Sequence, residues 1–221
     1  MTAVVATTPT TANRFPSRRL GVLVSGRGSN LQALIDAIAD GRLDASIAVV
    51  ISNVAGAGGL DRARHAGIET AVVDHRGWPS RDDFDRALVE ELRAREVEVV
   101  CLAGFMRKIG PGFIAAFPDA IVNIHPSLLP SFPGLHAQQH ALVHGVKVSG
   151  VTVHLVTAEL DAGPIIVQRA VAVLEGDTEE TLATRILTEE HVAYPEAVQR
   201  VLDGRWTVHG RRFVTSAPNH P

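Results

Sequence analysis

Hydrophobic positions along the 221-residue chain change period several times, and the changes delimit the elements. Residues 20–24 are apolar throughout, which predicts a buried strand. Leu31, Leu34, Ile35 and Ile38 then recur at helical spacing and predict a helix opening near Asn30. Strands are predicted at residues 47–51 and 70–73, with a short helix over 60–66 between them. Residues 81–95 read as a helix with Ser80 as N-cap and an acidic first turn. It leads into a strand at 97–102 that is apolar almost throughout and so predicted to be central. A short helix near 111–117, a strand at 120–123 and a helix at 136–144 follow. The period then becomes two in VSGVTVHLV and in PIIVQRAVAV, on either side of ELDAG, the pattern of a hairpin with a glycine-containing turn. A long helix over 178–202 and a short strand near 206–209 come last.

Strands alternating with amphipathic helices predict βαβ units. The expected class is α/β: a Rossmann-like, doubly wound, mostly parallel sheet with an antiparallel C-terminal hairpin. No internal repeat or second domain boundary is visible, so residues 20–221 are expected to form one domain. Residues 1–19 are rich in Thr and Ala and contain two prolines. They lack the charged start and apolar core of a secretory signal, and the expectation is a disordered tail on a cytoplasmic protein. No apolar run approaches the ~20 residues of a membrane span.

Composition narrows the classes further. Hydrophobic residues make up 46% of the chain, enough for a well-buried core. Twenty-one Lys and Arg against 24 Asp and Glu leave a net charge of −3 without a basic face, which argues against nucleic acid as a partner. The single cysteine, Cys101, excludes an internal disulfide framework and reads as a buried strand thiol.

In open α/β sheets, ligands bind beyond the carboxyl ends of the strands where their order reverses. The loops at those ends are SGRGSN, AGFMRK and NIHPSLLP, and all carry glycine or polar groups that a plain connection would not need. In Ser25–Asn30 the glycines let the backbone approach an anion, and the helix start offers unpaired N–H groups. The competing reading is a tight βα turn with Asn30 as N-cap. A dinucleotide fingerprint would need a small residue in place of Leu31 and an acid in place of Ser52-Asn53, and a P-loop would need Gly-Lys-Ser/Thr. The loop therefore suggests a phosphate monoester.

Asn123 and His125 are two apart, which in an extended segment sets both side chains on one side. Pro126 favours extended geometry at His125, and Pro130 and Pro133 restrict the loop. An amide donor for an oxyanion beside a proton-carrying imidazole suits acyl transfer. No serine or cysteine nucleophile is evident, since Ser127 lacks the surroundings of a nucleophile elbow, and direct transfer to an amine fits better than a covalent intermediate. Asp161, in ELDAGP, is the candidate carboxylate to orient the histidine, although Asp before Ala-Gly-Pro is also ordinary turn chemistry. His154 in its alternating strand reads as structural, while His136 could line the proline loop. No ligand spacing supports a metal.

With these residues in hand, the chain resembles the phosphoribosylglycinamide formyltransferases, folate-dependent enzymes of purine synthesis. The resemblance spans roughly residues 20–210 and rests on SGRGSNLQALIDA, AGFMRKI, NIHPSLLPSFPGLHA, GVTVHLVTAELDAGPI and TEEHVAYPEAV, in that order. It implies the formyltransferase fold, with phosphate-substrate binding in the N-terminal half and folate binding and catalysis in the C-terminal half. The implied reaction moves a formyl group from 10-formyltetrahydrofolate to the amine of 5-phosphoribosylglycinamide (GAR), without a metal, in a monomer or homodimer. Asn123, His125 and Asp161 match the catalytic trio: oxyanion donor, proton donor, and the acid that keeps the imidazole protonated and helps relay the amine proton. Gly28, Ser29 and Asn30 match the phosphate loop, Glu190 the ribose acid, and Leu187, Thr188 and Glu189 neighbouring substrate positions. Arg81, Met106, Arg107, Lys108 and Ile109 match the folate side, with Thr157, Ala158, Glu159 and Leu160 leading into Asp161, and Asn123 shared. Without the resemblance, Arg81 and Glu190 would read as surface charges, and Met106 and Ile109 as core. Some members have Asn for Arg27, a polar residue for Leu187 and Asp for Ala158.

Two related enzyme groups share such a domain. Formyltetrahydrofolate hydrolases add an N-terminal regulatory domain, and methionyl-tRNA formyltransferases a C-terminal tRNA-binding domain; neither normally shows the S-G-x-G-S-N loop. The hydrolase is the closer alternative. A non-catalytic phosphate-metabolite binding protein is a reading from another class, opposed by the intact trio.

Overall fold

The computed structural model describes residues 14–216. Among them one nine-stranded sheet has the order β3-β2-β1-β4-β5-β6-β7-β9-β8. Strands β1 (Arg19–Val24), β2 (Ser46–Ser52), β3 (Thr70–Val72), β4 (Val99–Leu102) and β5 (Ile121–His125) are parallel. Antiparallel pairing begins at β6 (Val148–Leu155) and continues into β7 (Ile165–Ala172). The predicted class, a mostly parallel doubly wound sheet with an antiparallel hairpin, is the observed one.

The helices fall into two groups. α1 (Ser29–Ala39) packs on α2 (Gly58–His65) and on α6 (Glu179–Leu202), which also meets α5 (Ala137–Val143). α3 (Arg81–Arg93) packs on α4 (Pro111–Ala116). The strand centres are fully buried because both faces are covered, which is why β1, β2 and β4 show no alternation in sequence. Tyr194 of α6 is fully buried and donates its hydroxyl to the Val122 carbonyl (3.2 Å), fastening the long helix to β5.

Several boundaries differ from the sequence reading. The strand expected from residue 97 starts at Val99, because the Val97 N–H is used to close α3 on the Leu92 carbonyl (3.1 Å) after a positive φ at Glu96. A one-turn 3₁₀ helix, His75–Gly77, is capped by the Asp74 carboxylate. After β8 (Trp206–His209), the chain turns through Gly210 at φ 62° into β9 (Arg212–Thr215), a strand too short to show in the pattern. Of the expected tail, residues 1–13 lie outside the described residues. Residues 14–19 are folded in: Phe15 is buried in the core, and Arg14 lies over the Trp206 ring at 4.3 Å. The folded part therefore begins before Leu20. No helix among the described residues is long and apolar enough to cross a membrane.

Candidate active site

The order of strands reverses between β1 and β4, and the carboxyl ends of β1, β4 and β5 open to one side. Asn123 and His125 sit at that end of β5, opposite His154 and Thr152 of β6. Residues directly opposite in an antiparallel pair share a face, so strand pairing places all four together. The hairpin turn between β6 and β7 brings Asp161 over them in the left-handed region, at φ 50°.

The cluster is buried and densely bonded. His125 Nδ1 lies 3.5 Å from Asp161 Oδ2, and His154 Nε2 lies 3.8 Å from Asp161 Oδ1, with all three side chains at least nine-tenths buried. His125 Nε2 faces the Phe132 carbonyl at 2.8 Å, so Nε2 carries a hydrogen and donates it. Both ring nitrogens then look at oxygen acceptors. Asp161 Oδ2 also accepts from the Gly134 N–H (2.8 Å), which closes the proline loop onto the hairpin.

His154 is the member of the cluster that sequence reasoning set aside as structural. Its Nδ1 donates to the Leu155 carbonyl (2.9 Å), leaving Nε2 as an acceptor for the Asn123 amide (3.2 Å). Burial holds its pKa below the ordinary histidine value, keeping it in that neutral form. One amide hydrogen of Asn123 is therefore fixed on His154, and the other has no partner among the described residues. The signal that could have found His154 is its register: hairpin pairing sets it opposite Asn123.

The loop behind His125 is held from below. Thr152 Oγ1 donates to the Ser127 carbonyl (2.7 Å) and accepts from the Leu129 N–H (2.9 Å) and from Gln168 Nε2 (2.9 Å). Gln168 also reaches the Leu129 carbonyl. Ser127 is fully buried with its hydroxyl on the Ser131 carbonyl, and Cys101 is fully buried with its thiol pushed up to about 12 by burial. Neither is placed to act as a nucleophile. His136 is exposed at the N-cap of α5 and is not joined to the cluster.

Across the sheet, α1 is capped by Gly28 at φ 73°, not by Asn30. Asn30 lies in the first turn, and its Nδ2 donates to Glu190 Oε2 of α6 (2.7 Å). The structure thus joins the glycine loop to Glu190, which is buried and not the surface charge its helix position suggests. Burial pushes the Glu190 carboxyl pKa up, opposed by the Asn30 hydrogen bond. Leu187 is half-buried, Thr188 is exposed with its hydroxyl on the Thr184 carbonyl, and Glu189 pairs with Arg169 of β7 at 3.5 Å.

The third loop follows β4. Its Met106 N–H donates to Ser25 Oγ (2.8 Å), which in turn donates to Asn53 Oδ1 (2.6 Å), linking the loops after β1, β2 and β4. Met106 is 65% exposed, so it is not a core residue, whereas Ile109 packs against the core. Arg107 and Lys108 are exposed, as is Arg81 at the start of α3. These elements meet at Asp85, which the sequence did not single out. Its carboxylate accepts from the Gly110 N–H (2.6 Å), and its pKa is raised by burial against the pull of that bond and of Arg81. Residues 157–160 form an exposed turn, and Leu160 comes against Gly134 of the proline loop. No group of three or more His, Cys, Asp or Glu among the described residues is placed to hold a metal.

Comparison with known proteins matches this arrangement over almost the whole described chain. Residues 18–198 match the family described as formyl transferase. The chain is 51% identical over 191 residues to the trifunctional purine biosynthetic protein adenosine-3 of Drosophila pseudoobscura pseudoobscura, using 86% of this chain but only 14% of that one. It is 45% identical over 188 residues to the phosphoribosylglycinamide formyltransferase of Escherichia coli, covering 85% of this chain and 89% of that protein. A crystal structure of glycinamide ribonucleotide transformylase 1 from Symbiobacterium toebii superposes with a TM-score of 0.89 at 54% identity, covering 92% and 95% of the two chains. With the buried amide–imidazole–carboxylate cluster at the end of β5 and the glycine-capped helix beside it, these matches place the chain in the formyl transferase family.

Proposed function

We propose that the protein transfers the formyl group of 10-formyltetrahydrofolate to the amine of GAR, the step of purine biosynthesis for which its relatives are named. The observation that carries the reading is the buried Asn123–His154–Asp161–His125 cluster at the carboxyl end of β5. It faces the same side of the sheet as the loop after β1 and the loop after β4, so two substrates can meet there.

The amine nitrogen attacks the formyl carbon, and a new C–N bond forms. The formyl oxygen, as it gains negative charge, accepts a hydrogen bond from the free amide N–H of Asn123, a contact worth ~3 kcal/mol in comparable sites. The bond to folate N10 then breaks, with His125 Nδ1 giving N10 its proton. His125 Nε2 stays on the Phe132 carbonyl and keeps the ring in place. Asp161 faces both imidazoles, orients His125 and helps carry away the proton lost by the amine. Atoms balance without a metal or a covalent enzyme intermediate.

Gly28, Ser29 and Asn30 hold the substrate phosphate with first-turn N–H groups, and Glu190 takes the ribose, with Leu187, Thr188 and Glu189 alongside. Arg81, the 106–109 segment and residues 157–160 bind the folate. The protein acts in the cytoplasm as a monomer or homodimer.

The test is the ultraviolet change as a 10-formyl folate loses its formyl group, with and without GAR. Deformylation that needs GAR supports transfer. Equal rates without GAR mean a hydrolase, and no deformylation by the folded protein means a binding protein. His125→Ala is expected to lower turnover at least a hundredfold, the scale of a lost acid–base group, with GAR binding within about threefold of wild type. Unchanged turnover in that variant removes the mechanism.

A further inference from the structure

The loop between β1 and α1 presents donors to an anion because its carbonyls are occupied elsewhere, and α2 occupies two of them. The Gly26 carbonyl accepts from the Gly59 N–H at 3.0 Å, in the first turn of α2. The Arg27 carbonyl accepts from Arg62 Nε at 2.9 Å. The Gly28 carbonyl accepts from the Gln32 N–H at 3.0 Å, inside α1. Three consecutive carbonyl dipoles are thereby satisfied within the protein, while the first N–H groups of α1 have no intrahelical partner.

Arg62 does more than occupy one carbonyl. Its Nη1 donates to Gln32 Oε1 at 3.2 Å, so one guanidinium bridges the loop and the first turns of the helix that follows it. The approach of α2 is close: a Cβ on Gly28 would lie 2.5 Å from the Gly59 Cα and 3.5 Å from Arg62 Cδ. Arg62 has no ion pair with a carboxylate among the described residues, although Arg64, two residues on, pairs with Asp61. At the junction of α1, α2 and α6, burial lowers the His191 pKa, with Asp36 raising it and Arg62 lowering it. A cation held on the loop without a direct ion pair, the acid Asp36 close by and bonded to Gln32 Nε2 (2.8 Å), favours a dianionic phosphate at the donors beside it.

We infer that Arg62 is a positioning residue for the substrate phosphate. It holds the Arg27 carbonyl in place, fixes the loop on α1 and leaves a positive charge beside the anion site. The assignment rests on the phosphate-bearing substrate of the proposed function and extends it to an element, α2, that carries none of the predicted site residues.

The experiment compares the wild type with Arg62→Gln and Arg62→Lys. In Arg62→Gln, KM for GAR is expected to rise about tenfold, the scale of one lost charge-assisted bond. Turnover at saturation and KM for the formyl folate stay within about twofold, because the β5 cluster is untouched. Arg62→Lys recovers part of the loss through its charge. Against glycinamide ribonucleoside, which lacks the phosphate, Arg62→Gln and wild type perform alike. An unchanged KM for GAR overturns the inference, and so does a joint change of turnover and both KM values, the mark of general structural support. Titration of each folded protein with inorganic phosphate, followed by melting temperature, separates the two proposals. If the wild type does not formylate GAR, the proposed function fails, yet weaker phosphate stabilisation in Arg62→Gln still supports the role of Arg62. Equal stabilisation in both proteins removes it.

Discussion

Glu190 is a carboxyl that burial makes expensive. Among the described residues its one side-chain hydrogen-bond partner is Asn30, and Asn30 Oδ1 is itself buried without a hydrogen bond there. A carboxyl whose pKa is raised on folding stabilises the fold below its ordinary value of 4.5, and that contribution is lost as pH rises through the folded-state pKa. As pH rises, burial of the charged form therefore becomes a growing cost. Glu190→Gln keeps an oxygen acceptor for Asn30 and removes the charge. Its melting temperature relative to wild type is expected to be higher at pH 8 than at pH 5, with KM for GAR raised about tenfold if the charged acid holds the ribose. A melting difference that is flat or reversed between the two pH values would exclude burial of the ionised carboxyl. Asn123, His125 and Asp161 stood out in the sequence because prolines, spacing and a turn flagged them. His154 and Asp85 did not, because what they contact is set by strand register and by helix–loop packing.

At the scale of elements, the proline loop is supported by β6 and β7, not by its own prolines alone. Thr152 is fully buried and makes three hydrogen bonds that tie the loop to the sheet. Thr152→Val removes all three and leaves the Leu129 N–H and Ser127 carbonyl without that partner. Unfolding measurements should show a loss of about 3 kcal/mol, and turnover should fall more than either KM, because the loop supplies the Phe132 carbonyl that holds His125. Thr152→Ser keeps the hydroxyl and should stay within about 1 kcal/mol of wild type. Equal stability of the Val variant would mean that the loop holds itself. Elements with a strong period were legible in the sequence: the βα alternation, the hairpin and the long C-terminal helix lie where the pattern put them. The 3₁₀ turn at His75–Gly77 and strand β9 were not, since three or four residues define no period and take their structure from neighbours.

For the whole molecule, the sheet is strongest in the middle and weakest at the C-terminal end. β7 and β9 share a single register pair, Ile165 with Arg212, whereas β1 is paired on both sides along its length. Hydrogen exchange should therefore release the β8–β9 hairpin first and the amides of β1 and β4 last, near the global unfolding free energy. Uniform protection across the sheet would contradict this order. The fold class was readable because it depends on alternation alone. That residues 14–19 belong to the folded part was not, because Phe15 is one apolar residue among polar ones, and its burial depends on distant packing. The buried acid on α6 has a consequence for variation and selection. A library sorted only by resistance to heat rewards a neutral residue at position 190, whereas, under the proposed ribose contact, cells that depend on the product reject it. Melting-point rank and fitness should run in opposite directions at this position, so an acid retained there across descendants would record selection for use and not for endurance.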